Sequence, residues 1–139
     1  METLYARLRD VSSFDLTGAL NLTKDLMKGD VFLKVCKNTN KFVQRKLSLS
    51  EDEERIEWVN DPPKGFDEEP RFILLKDIID LTLGLGSVVM KKNKVPEEFD
   101  SLCFTIETIY RTLDLKAKTN KERAKWVNYI KAILIRRRE

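Results

Sequence analysis

The stretch that decides the fold is VFLKVCKNTNKFVQRKLSL, residues 31–49. Residues 31–36 are mostly apolar and β-favouring, as a strand requires. Asn38, Thr39, Asn40 and Lys41 then read as a turn, and residues 42–49 return as a second strand, closing a hairpin. The hairpin carries Lys34, Lys37, Lys41, Arg45 and Lys46, with no acid between Phe32 and Ser50. Its field is positive, and strand alternation allows Lys34 and Arg45 to converge across it.

Working outward toward the C-terminus, the acidic run at 50–54 reads as a turn, and residues 55–59 alternate as a third strand. Asp61, Pro62, Pro63, Lys64 and Gly65 break the chain. Further strands are expected over 71–75, 78–83, 102–108 and 110–117, the last two joined by a tight turn. Thr119 and Glu122 form a capping box, after which Trp126, Val127, Ile130, Ile133 and Leu134 recur at helical spacing. Upstream, residues 14–27 read as a short amphipathic helix capped by Ser12, Ser13 or Asp15 and ended by Gly29. Seven short antiparallel strands leave open sheet ends, and a terminal helix with a tryptophan on its apolar face is suited to plug the barrel they form. The expected fold is mainly β: a partly open seven-stranded barrel over residues 29–139, capped by the C-terminal helix, with residues 1–28 as a helical extension.

Composition agrees with one domain. A chain of 139 residues, 42% hydrophobic and 35% charged, can bury roughly two thirds of the surface it exposes when unfolded. The apolar stretch at 78–90 is interrupted by Asp80, Thr82, two glycines and Ser87, short of the ~20 apolar residues of a membrane span. The first nine residues do not read as a secretory signal, so a cytoplasmic protein is expected. Cys36 and Cys103 lie far apart in strand-like runs, the pattern of ordinary thiols and not of a disulfide framework or metal site. There is no histidine, which removes the commonest general base and zinc ligand. Gly84 and Gly86 lack the context of a phosphate-binding loop, and Glu97, Glu98 and Asp100 form no opposed catalytic pair. No enzyme activity, cofactor, metal or nucleic-acid partner is expected, and the chain is expected to be a monomer.

Taken in order, several segments resemble a pleckstrin-homology domain, and most closely those of the phospholipase C type: Phe32 to Val35, Arg45 to Asp52, Ile56 to Trp58, Asp77 and Ile78, Cys103 to Ile106, Arg111 to Leu115, and Trp126 with Val127. A stand-alone domain with a helix before its first strand is also similar to the acylated pleckstrin-homology proteins of apicomplexan parasites. Met1, Glu2 and Thr3 lack the glycine for myristoylation, so such an anchor would require sequence upstream. The resemblance implies a lipid headgroup gripped at the open end of the barrel, with Lys34, Arg45 and Thr112 at matching positions and Lys37, Lys41, Lys64 and Arg111 around them. It implies a membrane contact at Phe42.

The chain departs from the phosphoinositide-selective pattern at Cys36, where a second lysine is usual, and at 61–64, where only Lys64 remains of a basic pair. This reduced pocket suits phosphatidic acid, whose single phosphomonoester a lysine and an arginine can grip. The expected function is therefore binding of anionic phospholipids, phosphatidic acid or a phosphoinositide, peripherally at a membrane. A protein-interaction module without lipid ligand, or the pleckstrin-homology part of a larger phospholipase C-like protein, is the alternative. Residues 88–92 pair valines with lysines as interfacial segments do, or pack their valines beneath a loop; Arg136 to Arg138 complement a helix dipole.

Overall fold

The computed structural model describes residues 14–37, 41–65 and 69–137. The proposed caps Ser12 and Ser13, the hairpin tip at 38–40 and Arg138 lie outside them. Helix α1 (Phe14–Lys28) leads into strands β1 (Asp30–Val35), β2 (Phe42–Leu49), β3 (Arg55–Asn60), β4 (Arg71–Leu74) and β5 (Ile78–Leu83). A short helix α2 (Val88–Lys92) follows, then β6 (Cys103–Thr108), β7 (Thr112–Lys116) and helix α3 (Asn120–Arg137). The seven strands form one antiparallel sheet in the order β4-β3-β2-β1-β7-β6-β5, with β4 and β5 at its unpaired ends. This is the partly open barrel expected, with a helix at each end of the chain.

Period-two alternation sorts the side chains. Phe32 on β1, Leu47 and Leu49 on β2, Ile56 and Trp58 on β3, Phe104 and Ile106 on β6, and Leu113 and Leu115 on β7 face one interior. Trp126, Val127 and Ile130 of α3 close it from the C-terminal side and Leu26 of α1 joins it. Phe32 is the hub: its ring meets Phe104 edge-on at 5.8 Å and Trp126 at 6.0 Å. The indole Nε1 of Trp126 donates to Asp30 Oδ2 (2.8 Å), and the same oxygen pairs with Lys125 Nζ at 2.6 Å. Lys125 also lies 3.3 Å from Asp25 Oδ2 on α1, so one lysine ties both helices to the start of β1. Burial draws the Lys125 ammonium down, but Asp30 and then Asp25 outweigh it and hold the group above its ordinary value.

The opposite face of the sheet carries a second, smaller core. Val35 and Cys103 meet Val89, Met90 and Val95 from the segment between β5 and β6, with Phe42, Leu85 and Phe99 packed around them. Burial pushes the Cys103 thiol up to about 11, and both thiols are free, Cys36 only half-buried. Residues 88–92 are thus helical, with Val89 and Met90 buried and Val88 exposed. Two further details differ from the sequence reading. Strand β7 begins at Thr112, because Thr108 N donates to Arg111 O and its hydroxyl accepts from the amides of Tyr110 and Arg111, making 109–111 the turn. Arg137 is no free helix-end cation, since its guanidinium donates to the carbonyls of Leu75 and Ile78. At the entry to β1, Gly29 has φ of +87°, and a Cβ there would lie 2.6 Å from Leu47 O.

Trp126→Ala is expected to cost about 3–5 kcal/mol, the usual penalty for a deleted core aromatic, out of a total stability of ~5–15 kcal/mol. Asp30→Ala, which strips the partner from Trp126 Nε1, is expected to cost less, about 1–3 kcal/mol. Chemical denaturation of the two variants beside the parent checks the order; a Trp126→Ala midpoint equal to the parent's would contradict α3 as the plug of the barrel.

Candidate functional site

The site grows from the same alternation that builds the core. Lys34 stands two residues beyond Phe32 on β1, so it shares the inward face, one step nearer the open end. Arg45 is opposite Phe32, and Lys34 is opposite Val43, which puts Arg45 on the face of Lys34, diagonally across the hairpin. Asn60 pairs with Arg45 and Arg71 pairs with Trp58. Where the apolar rows run out, the rows therefore continue as Lys34, Arg45, Asn60 and Arg71, one from each of β1 to β4.

Two neighbouring clefts open on this end. One, of about 200 Å³, is lined by Arg45, Trp58, Asn60, Glu69 and Arg71. The other, of about 330 Å³, is lined by Lys34, Lys37, Arg111 and Thr112, with Val35, Val89, Tyr110 and Asp114. Arg111 bridges them: it belongs to the second cleft, yet its guanidinium lies 5.3 Å from the ring centre of Trp58 in the first. Desolvation, and after it the charge of Arg111, pulls the Lys34 ammonium below its ordinary value; Arg45 and Arg71 add to this, and Cys36 opposes it. Four cations thus share one field. Among the described residues none of the four takes part in an ion pair, since the salt bridges there join Arg55 to Glu57 and Lys125 to Asp25 and Asp30.

Asp114, 3% exposed, is a carboxylate in the floor of this region. Its Oδ1 accepts from Ser87 Oγ (2.6 Å) and Thr105 Oγ1 (2.7 Å), and its Oδ2 from Thr112 Oγ1 at 3.1 Å. Its lone pairs are engaged by hydroxyls. Ser87 is also the cap of α2, accepting from Met90 N, so Asp114 latches α2 to β7 and shapes the larger cleft.

Of the residues expected from sequence, Lys34, Lys37, Arg111 and Thr112 meet in the larger cleft, with Arg45 in the adjoining one. Lys41 is exposed at the foot of β2, where its carbonyl accepts from Cys36 N, and lines neither cleft. Lys64 is exposed in the loop after β3 and also lines neither. Phe42 is half-buried, its ring edge-on to Phe99 at 6.3 Å. Sequence reasoning missed Arg71, Asn60 and Tyr110. Arg71 reads as the polar boundary of a strand, and only the pairing of β4 with β3 brings it beside Trp58.

No protein-family model matches this sequence, and neither does any curated protein. Solved structures do match in shape. PLC21 of S. officinalis superposes with a TM-score of 0.60 at 18% identity over 80% of this chain; this chain spans only 16% of that one. Inner Membrane Complex sub-compartment protein 3 of Toxoplasma gondii gives a TM-score of 0.61 at 13% identity, covering 93% of this chain and 90% of its own. The C-terminal PH domain of human pleckstrin gives 0.55 at 24% identity, covering 78% and 86%. At these identities the likeness is one of fold.

A half-buried lysine among arginines costs stability, which yields a signed expectation. Its folded pKa lies below the unfolded 10.5, so folding is penalised while the group is charged and the penalty fades as pH rises toward that value. Lys34→Met should therefore raise stability slightly near pH 7, solvent screening the repulsion at this half-exposed site, with the gain shrinking toward pH 10. Denaturant midpoints at the two pH values check this; a Lys34→Met variant less stable than the parent at pH 7 would contradict a repulsive cluster.

Proposed function

We propose that this chain, which has the pleckstrin-homology fold, binds the phosphate-bearing headgroup of an anionic phospholipid and so associates peripherally with a membrane. The observation that carries the reading is the cluster of Lys34, Arg45, Arg71 and Arg111 at the open end of the barrel, without ion pairs among the described residues. Such a cluster lowers stability, and an anion that enters it relieves the repulsion. A phosphomonoester supplies what the geometry asks for. Its oxygens accept charge-assisted bonds from a lysine and from planar guanidinium forks, which is how phosphate is distinguished from a diffuse negative surface.

Lys34 and Arg45 are the central grips, with Arg111 and Arg71 on either side and Lys37 at the rim. Thr112 positions Asp114 and through it the cleft wall. Lys41 and Lys64 contribute a general attractive field, worth about 1 kcal/mol per basic side chain near an anionic surface. Phosphatidic acid fits this set, and the added Arg71 widens the range toward phosphoinositides. The role is one of binding and not of turnover. In this reading attachment runs through the headgroup site; among the described residues no helix is long and apolar enough to cross a membrane.

Co-sedimentation with vesicles tests this. Lys34→Glu and Arg45→Glu should each nearly abolish binding to phosphatidylcholine vesicles containing phosphatidic acid, and Arg71→Glu should weaken it several-fold. Binding should fall steeply between dilute and physiological salt. At equal surface charge, phosphatidic acid should compete as well as phosphatidylinositol bisphosphate. A parent chain that sediments with no anionic vesicle at low salt would overturn the reading.

A further inference from the structure

We propose that the residues this domain sinks into the bilayer are Val88, at the start of α2, and Tyr110, in the turn between β6 and β7. This inference rests on the phospholipid reading above and adds a membrane-facing side to it. Both residues are 80% exposed, and Ile109 beside Tyr110 is 58% exposed. Isolated apolar residues on a surface are ordinary; the placement of these is what matters. Tyr110 itself lines the cleft that holds Lys34, Lys37 and Arg111, and Val89, next to Val88, lines the same cleft. Two exposed apolar tips thus stand at one cationic cleft, Tyr110 in its lining and Val88 next to the lining residue Val89.

The tips are held by fixed structure. Val89 and Met90 anchor α2 in the outer core. Its first turn is latched by Ser87 Oγ to Asp114 Oδ1 at 2.6 Å, and Asn93, just past its end, reaches Lys37 O at 3.3 Å. Val88 is therefore presented by a braced helix, and burying it orders nothing further. Tyr110 has an apolar ring and a polar hydroxyl, the combination that partitions to the headgroup level of a bilayer. Lys91 and Lys92 in the last turn of α2, with Lys37 and Arg111, border the tips with positive charge. An apolar point ringed by cations complements an anionic bilayer, where the same step buries the tips and brings the cleft to the phosphates. Phe42, by contrast, already has an apolar partner in Phe99.

The experiment pairs Val88→Ser/Tyr110→Ser with Tyr110→Trp, all in the full chain. Vesicles are phosphatidylcholine with phosphatidic acid, with or without brominated acyl chains. The double variant is expected to bind at least about tenfold more weakly than the parent, with an unchanged melting temperature because neither side chain is packed. The indole introduced by Tyr110→Trp should be quenched by brominated lipid, while Trp58 and Trp126, 2% and 0% exposed, stay unquenched. If the parent binds vesicles, but the double variant binds equally and the new indole is unquenched, the inference is overturned and the phospholipid reading stands. If the parent binds no anionic vesicle, both fall together. A parent that dimerises without lipid and becomes monomeric on the double substitution would assign the patch to a second copy and likewise overturn the inference.

Discussion

Phe32 and Lys34 stand on the same face of one strand, two residues apart, and the rest of the molecule depends on that constraint. Phe32 needs the interior that Phe104 and Trp126 supply. Once it is placed there, alternation leaves Lys34 no choice but the same face at the open end of the barrel. Strand pairing then carries the condition across the sheet: Arg45 must lie opposite Phe32, Asn60 beside Arg45, and Arg71 beside Trp58. A one-residue slip of β2 against β1 would turn its buried leucines to solvent and scatter the cations. The core that stabilises the fold therefore also holds an electrostatically unfavourable cluster together.

The outer face shapes the cleft beside this cluster. The segment between β5 and β6 folds back as α2 over Val35 and Cys103, and the buried Asp114 fastens it through the hydroxyl of Ser87, while Thr105 and Thr112 on the neighbouring strands satisfy the same carboxylate. A buried carboxylate without such donors would cost several kcal/mol; with them it becomes a fixed point. Its effect is to wall one side of the larger cleft with Val89 and to set Val88 beside it. The two helices at the chain ends have the opposite role, since Lys125 binds Asp25 and Asp30 and locks α1 and α3 at the start of β1, the end of the strand opposite Lys34.

Much of this was legible in the sequence because each strand has its own apolar alternation and turn chemistry. The strands of the hairpin at 31–49, the Thr119 cap, whose hydroxyl accepts from Glu122 N at 3.2 Å, and Trp126 as the barrel plug are all local signals. The cations of the first hairpin were legible as well, being a run without an acid. What could not be read depends on pairing between distant strands. Arg71 is one charge in a polar approach to β4, and nothing local says that it will meet Trp58. Residues 88–92 contain too few residues to display a helical period, and their helix exists because Val89 and Met90 find the outer core. Tyr110 looked like the first residue of a strand, because the hydroxyl of Thr108 that holds the turn is visible only in three dimensions.

The most direct measurement of the central claim is a residue-resolved nuclear magnetic resonance titration of the whole chain with short-chain phosphatidic acid below its micelle concentration. The account predicts saturable shifts that are largest at the amides of Lys34, Arg45, Arg71 and Arg111, with little change on α1 or α3. Shifts confined to the β5 edge, or an unperturbed spectrum at millimolar lipid, would contradict it.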